Sequence, residues 1–498
     1  MQSIGQAVLL SWSIPPAATF ALALTALVYL RGWMLLRQAG LPYLPTWRTA
    51  SFLLGLLALW VALASPFDTF SGFLLTAHML QHMMLMMVAP PLLLLGAPLV
   101  PLVRGLPVFA AREFAGPFLN WPIANRAGSF LTHPIVALFL MGLTMFSWHM
   151  PVLYELALAS SSWHEVEHAC FFLTSLIFWW PVVQPWPSRA RWPRWAIIPY
   201  LLMGDLQNTI LSASFVFLDR VLYPSYAAVP RLFGFSAQQD QAAAGAIMWV
   251  LGSMAFMVPA VVIALQCLQT RRPQAETPAR RREATSLDTL LLVARPFASV
   301  NQYLRRRWNS TRMEVVSFLL LFILAGVGLA HFASAPSDDD DQTLRLHHRS
   351  GPFEVSVFAP PGDLESGPAS FNILVQDAKG AAVLTDVNVH LSAQLANNER
   401  QLAAVLAGNE NSENKLLQTA ELDFPSDGEW TLDIAVQQGS NSDHFSLPLR
   451  VVKPEEGIAW PWPYLVLLAF SLILLSAYLW RHRSAKAARV EQPVSTID

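Results

Sequence analysis

Histidines at helical spacing are the residues of this 498-residue sequence best suited to chemistry. His78 and His82 are four positions apart, as are His164 and His168, so each pair shares one face if its segment is helical. His149 ends a further apolar run. Ionisable side chains within a bilayer usually face the protein interior and mark functional sites. We therefore predict that these five histidines form a metal site.

Methionines accompany the first pair and indicate which metal. Met79 and Met83 form a stripe beside His78 and His82, and Met86 extends the histidine face by one turn. Imidazole is a borderline ligand and thioether a soft one, and together they suit copper, especially Cu(I). The two cysteines, Cys170 and Cys267, lie in separate apolar runs, and no paired-cysteine metal motif is present.

Four polar residues are candidates to line this site or to orient its ligands: Glu167, Asp240, Gln81 and Asp205. A carboxylate that accepts a hydrogen bond from a ligating imidazole fixes its tautomer, and Glu167 and Asp240 are suited to that role. Alternatively, Asp240 caps the seventh helix of the sequence, and Asp205 pairs with a polar neighbour.

Two other functions stay open. His164-Glu165-Val166-Glu167-His168 matches the H-E-x-x-H signature of zinc proteases, in which the glutamate is the general base. Its position at the edge of a membrane span, and the additional histidines and methionines, argue against a catalytic zinc with one open position. Alternatively, the chain is a structural accessory subunit of a respiratory complex. Its histidines would then pack within the bundle or lie next to a haem.

The composition predicts a membrane protein. Only 13% of residues are charged and 54% are hydrophobic, with a mean hydropathy of +0.40, whereas about a quarter of a typical soluble domain is charged. A span needs roughly 20 apolar residues. The qualifying segments are 16–36, 50–65, 72–95, 134–150, 163–183, 197–217, 242–265, 315–331 and 460–480.

Arginine placement predicts the orientation. Arginines concentrate in alternate loops and in a basic stretch after the seventh span, and such loops face the cytoplasm. We expect a bacterial inner-membrane protein with a periplasmic N-terminus, a cytoplasmic C-terminus and no cleaved signal peptide. The two histidine pairs and His149 then lie in the outer half of the bilayer.

Residues 334–457 differ from the rest of the chain. Apolar residues alternate with polar ones in runs such as 353–357, 371–375, 387–391 and 430–436, separated by turn signals, which predicts a small β-sandwich. The fold class is thus an all-α membrane bundle of seven helices plus two further membrane helices, with an extracytoplasmic β-sandwich. The predicted parts are 1–270 (bundle), 271–312 (basic cytoplasmic linker), 313–333 (eighth span), 334–457 (β domain), 458–480 (ninth span) and 481–498 (cytoplasmic tail).

Several long motifs resemble the seven-helix CtaG-type cytochrome c oxidase assembly factors. They are His78-Met79-Leu80-Gln81-His82-Met83-Met84, Trp148-His149-Met150-Pro151 with Tyr154, then His164, Glu167 and His168, and Asp240-Gln241 with Gly245 and Met248-Trp249. The resemblance implies a non-enzymatic factor for the binuclear copper centre of haem–copper oxidases. Its copper-related histidines correspond to His78, His82, His149, His164 and His168, with Glu167 as the acid. The resemblance implies that the partners are nascent oxidase subunit I and other copper chaperones. The chain would also contact the lipid bilayer, and no nucleic-acid partner is expected.

The region 353–452 resembles the small YtkA/FixH-like β-sandwiches. Asn372–Asp377 and Gly428-Glu429-Trp430 carry this second likeness. With no methionine or cysteine in it, the domain is expected to be a docking module, with His347 and His348 as an alternative copper pair.

Overall fold

The structure, a computed structural model, describes residues 4–38, 45–112, 122–185, 188, 192–269, 342–360, 362–378, 382–396, 402–410 and 412–453. The predicted spans at 315–331 and 460–480, with the linker and tail beside them, lie outside these residues.

The first half of the chain is helical. The helices are α1 (Ile4–Leu10), α2 (Pro16–Gln38), α3 (Thr46–Ala64), α4 (Pro66–Thr69), α5 (Leu75–Met83), α6 (Ala89–Leu95), α7 (Leu99–Gly105), α8 (Val108–Ala110), α9 (Pro122–Leu131), α10 (Pro134–Trp148), α11 (Pro151–Leu158), α12 (Ser161–Val183), α13 (Ile197–Phe217), α14 (Pro224–Ala228) and α15 (Ala237–Gln269). A π-helical turn, Met84–Val88, joins α5 to α6, and a 3₁₀ turn, Arg194–Ala196, precedes α13.

Five helical stretches in the described part of the chain are long and apolar enough to cross a membrane: Pro16–Gln38, Thr46–Thr69, Leu75–Leu95, Ser161–Val183 and Ala237–Gln269. The bent pair α10 and α11 makes a sixth if it is one span. The predicted span at 197–217 forms a helix with those bounds, α13. This helix is not among the five that are long and apolar enough to cross a membrane. It carries Asp205, Gln207 and Asn208, which lower its hydropathy.

The predicted span 134–150 coincides with α10 to within two residues, and a bend follows it. Helix α10 ends at Trp148, and α11 begins at Pro151 with its axis turned by 70°. Proline disfavours helical backbone in the residue before it, and Met150 accordingly has an extended conformation (φ −68°, ψ 133°). His149 therefore lies at a bend.

The π-helical turn has its cause in the prolines that follow it. Pro90 and Pro91 have no N–H to donate back along the helix. The carbonyl oxygen of Met86 instead accepts a hydrogen bond from the Trp179 indole at 3.0 Å, across to α12. Such turns are often found at functional sites.

The region after the bundle is a β-sandwich, as predicted. Its strands are β1 (Thr343–Ser350), β2 (Phe353–Ala359), β3 (Leu364–Glu365), β4 (Gly367–Asp377), β5 (Asn388–Leu395), β6 (Val405–Leu406), β7 (Gln418–Phe424), β8 (Gly428–Gln438) and β9 (Asn441–Val452). One sheet has the order β1-β2-β4-β7, and the other β3-β9-β8-β5-β6. Alternate residues of both sheets form one buried core, in which Trp430 is 1% exposed.

The sheet β1-β2-β4-β7 is buried on both faces at its two central strands, β2 and β4. Its second face carries Phe358 and Leu374, which join Phe70 and Ala77 of the helical part in one buried cluster. The ring of Phe358 meets that of Phe73 edge-on, with centroids 5.5 Å apart. We call this second face the docking face. It lies against the bundle where α5 begins.

Candidate metal centre

Helix α5 carries the first histidine pair, and its position is set by Asp240 of α15. The Asp240 carboxylate accepts hydrogen bonds from the backbone amides of Leu75 (2.7 Å) and Thr76 (3.1 Å). The first amides of a helix have no partner within it, and an anion there is favoured by the helix dipole. Asp240 thus caps α5, and through the start of this helix it positions His78 indirectly.

Four of the five predicted histidines converge. One ring nitrogen from each of His78, His82, His164 and His168 lies within 4.8 Å of every other. The Nε2 atoms of His78 and His82 are 2.9 Å apart, and the rings of His164 and His168 have centroids 4.1 Å apart. We call these residues the four-histidine cluster. Its spacing is short enough for the rings to share one ion.

Glu167 lies against this cluster with both oxygens buried. Its carboxylate is 3.8 Å from Nε2 of His78 and 3.9 Å from Nε2 of His82, and the residue is 0% exposed. Neither oxygen accepts a hydrogen bond within the described part of the chain. A buried carboxylate needs a compensating proton or cation. The cluster therefore provides both neutral ligands and a charge that favours a cation.

Tyr226, of the short helix α14, orients His78. Its hydroxyl donates to the carbonyl oxygen of Ser71 at 2.6 Å and lies 3.2 Å from Nδ1 of His78. Because that hydroxyl hydrogen is committed to Ser71, Nδ1 of His78 is the donor, which leaves the Nε2 lone pair facing the cluster. Burial raises the pKa of the Tyr226 phenol, so it stays neutral. Sequence analysis missed this residue, since nothing in its spacing links it to α5.

His149 lies beside the four-histidine cluster and is not part of it. Its Nδ1 is 2.7 Å from the Met145 carbonyl and donates to it, so its Nε2 carries a lone pair. That Nε2 is buried without a hydrogen-bond partner among the described residues. Tyr223, which sequence analysis also missed, donates to the His149 carbonyl at 2.9 Å. Hence the structure fixes the ring of His149 as a potential ligand in a separate location.

The predicted methionines line a cavity next to His149, which we call the methionine cavity. Its lining is six methionines, two histidines and one asparagine: Met79, Met83, Met86, Met87, Met145, Met248, His82, His149 and Asn208. His82 is common to this cavity and to the four-histidine cluster.

The remaining predicted residues lie elsewhere. Gln81 donates to Asp68 (2.6 Å) and to the Ala62 carbonyl (3.0 Å), which ties α5 to α3 and α4. Asp205 is on α13, with a buried Oδ1 that has no hydrogen-bond partner among the described residues. Glu165, the base of the protease hypothesis, is partly exposed, whereas Glu167 faces the rings.

His347 and His348, the predicted alternative copper pair of the β domain, do not converge. His347 lies 3.2 Å from Glu354, and His348 lies 3.4 Å from Asp443. Adjacent residues of a strand point to opposite faces, which separates the two rings.

Comparison with known proteins gives a family for the helical part. Residues 27–270 match the family model described as cytochrome c oxidase caa3 assembly factor (Caa3_CtaG). The matched segment contains all five predicted histidines and ends before the β domain.

Curated relatives come from mycobacteria. The chain is 26% identical over 269 residues to an uncharacterized protein of Mycobacterium leprae, which covers 52% of this chain and 39% of that protein. It is also 26% identical over 294 residues to an uncharacterized protein of Mycobacterium bovis, with coverages of 56% and 43%. The chain therefore spans about two fifths of the length of these relatives. No solved structure matches.

Proposed function

We propose that this membrane protein, whose residues 27–270 belong to the cytochrome c oxidase caa3 assembly factor family, carries Cu(I) to a haem–copper oxidase. The four-histidine cluster is the observation that carries the proposal. Cu(I) is here a cargo, which the chain binds and releases to the nascent subunit that needs it.

The donor set suits a monovalent soft cation. Neutral imidazoles supply borderline ligands without charge. Glu167 supplies one negative charge at 3.8–3.9 Å from two of the rings. A single positive ion would balance that charge, which matters because net charge within a bilayer is costly. The buried carboxylate thus favours loading with Cu(I), and its protonation would favour release.

Access from the outer side of the membrane is part of this proposal. The arginine-rich alternate loops favour a periplasmic start of α5, by the positive-inside rule. The docking face of the β domain contacts Ala77, one residue before His78. A cluster at this end of the bundle would receive copper outside the cytoplasm, and the β domain would lie beside it.

The test compares variants of the full chain in a strain that lacks the native copy. His78→Ala and His164→Ala each remove a cluster ring, and His133→Ala is the matched control, since His133 lies at the opposite end of α10 beside Trp192. We expect both cluster variants to lose the copper held by the four-histidine cluster and to yield oxidase deficient in copper. Normal copper in both the protein and the oxidase, for both variants, would refute the proposal.

A further inference from the structure

The methionine cavity has the composition of a second metal site. Six thioethers converge on one small cavity from four segments, namely α5, the π-helical turn, α10 and α15. Thioethers are soft ligands that favour Cu(I) over harder ions. Methionine is common in cores as an adaptable filler, so composition alone does not make a site.

His149 supplies the second observation. Its side chain is 6% exposed and lines the cavity, and the Nε2 lone pair has no hydrogen-bond donor among the described residues. Its Nδ1 hydrogen is held by the Met145 carbonyl, so the ring is fixed in the tautomer that a metal requires. A buried polar atom without a partner is unusual and calls for an explanation. A bound cation provides one.

His82 connects the two locations. Its Nε2 belongs to the four-histidine cluster, while its Nδ1 is buried and also lacks a hydrogen-bond partner within the described chain. The rings of His82 and His149 have centroids 6.2 Å apart. Because α5 rises about 1.5 Å per residue, the methionines that follow His82 lie farther along the helix from its start.

We propose that the methionine cavity is a second, sulfur-rich Cu(I) site, with His149 as its nitrogen ligand, which borders the four-histidine cluster at His82 and lies deeper in the bundle. The neutral ring of His82 can ligate one ion at a time, through Nε2 in the cluster or through Nδ1 in the cavity. This inference rests on the proposed function in taking Cu(I) as the cargo. Copper keeps one oxidation state in both sites, so passage between them requires only exchange of ligands. The short separation of His82 and His149 provides a path for that exchange.

The experiment is an anaerobic Cu(I) titration of the purified full chain against a chromophoric chelator, with the sulfur shell read by copper K-edge X-ray absorption. The variant Met83→Leu/Met86→Leu/Met145→Leu removes thioethers from the cavity at nearly constant volume, which cores tolerate well. Met84→Leu is the matched control, since Met84 lies in the same π-helical turn but does not line the cavity.

We expect two equivalents of Cu(I) in the wild type and in Met84→Leu. In the triple variant, which keeps three of the six thioethers, we expect one tightly bound equivalent and a smaller sulfur signal. His164→Ala should lose the other equivalent and keep the sulfur shell. One equivalent that is unaffected by the triple variant but lost in His164→Ala would overturn this inference and leave the proposed function intact. One equivalent lost only in the triple variant would support the cavity and refute the four-histidine site, and no bound copper would overturn both.

Discussion

The hydroxyl of Tyr226 lies 3.2 Å from Nδ1 of His78 and gives its own hydrogen to Ser71. This relationship directs the Nε2 lone pair of His78 toward the four-histidine cluster. A residue 148 positions away in sequence thereby determines which nitrogen of the ring can bind a metal.

Tyr226→Phe should weaken Cu(I) binding by about 10- to 100-fold, the usual effect of removing a hydrogen-bond partner of a ligating imidazole. The free ring of His78 could then adopt either tautomer. Competition with a Cu(I) chelator measures the change. Tyr223→Phe is the control for the four-histidine cluster, whose affinity it should leave unchanged, because its hydroxyl donates to the His149 carbonyl. Equal affinities for Tyr226→Phe and the wild type would show that Tyr226 does not orient His78.

Glu167→Gln should also weaken Cu(I) binding, on the order of tenfold or more, as expected for loss of a supporting carboxylate. The substitution keeps the shape of the side chain and removes the negative charge that faces His78 and His82. Metal content after dialysis against a chelator is a suitable measurement.

Glu165→Gln is the control for this experiment, since Glu165 is partly exposed and Glu167 is the residue beside the rings. If Glu165→Gln lowered copper retention and Glu167→Gln did not, the assignment of the acid would be reversed.

The histidine pairs could be predicted from sequence because helix geometry alone places residues four apart on one face. Four of the five histidines indeed converge. The separate location of His149 could not be predicted, because it depends on how α10 packs against α12. Pro151 signals a break, but the direction of the second helix is set by packing.

Trp179→Phe should destabilise the bundle by about 1–3 kcal/mol, the cost of a buried polar group left without its hydrogen bond. The indole N–H is the donor to the Met86 carbonyl, and Pro90 cannot replace it. Thermal unfolding in detergent measures the effect. Trp180→Phe, at a partly buried neighbouring position, controls for the loss of ring volume. Equal shifts for the two variants would contradict the assigned role of the hydrogen bond.

Phe358→Ala should loosen the docking face without unfolding the β domain, whose core lies on the other face of the sheet. The variant removes the edge-on contact with Phe73, and aromatic pairs contribute about 0.5–1.5 kcal/mol beyond burial. We expect faster hydrogen exchange at the start of α5 and in β4.

Leu406→Ala, at a residue that is 57% exposed on β6, should leave this exchange unchanged. If backbone amides of Phe358→Ala exchanged hydrogen at the wild-type rate at the start of α5 and in β4, the contact between the docking face and the bundle would be unimportant in solution.

The sandwich strands were predictable because one face of each strand is apolar and the period is two. Strand β2 departs from this alternation: Ser356 and Phe358 are buried along with Phe353, Val355 and Val357. The second face is covered by the bundle. Sequence cannot show such contacts, because the partner residues belong to a different part of the chain. For the same reason, the sequence did not indicate that Asp240 caps α5, because the two are far apart along the chain.

Copper K-edge X-ray absorption of the full chain loaded with one equivalent of Cu(I) tests the four-histidine cluster most directly. Wild type should show nitrogen ligands with imidazole multiple scattering, and this signal should be reduced in His78→Ala and in His164→Ala but unchanged in His133→Ala. A spectrum without imidazole scattering, or one that is identical in wild type and both cluster variants, would contradict the claim that these rings hold the metal.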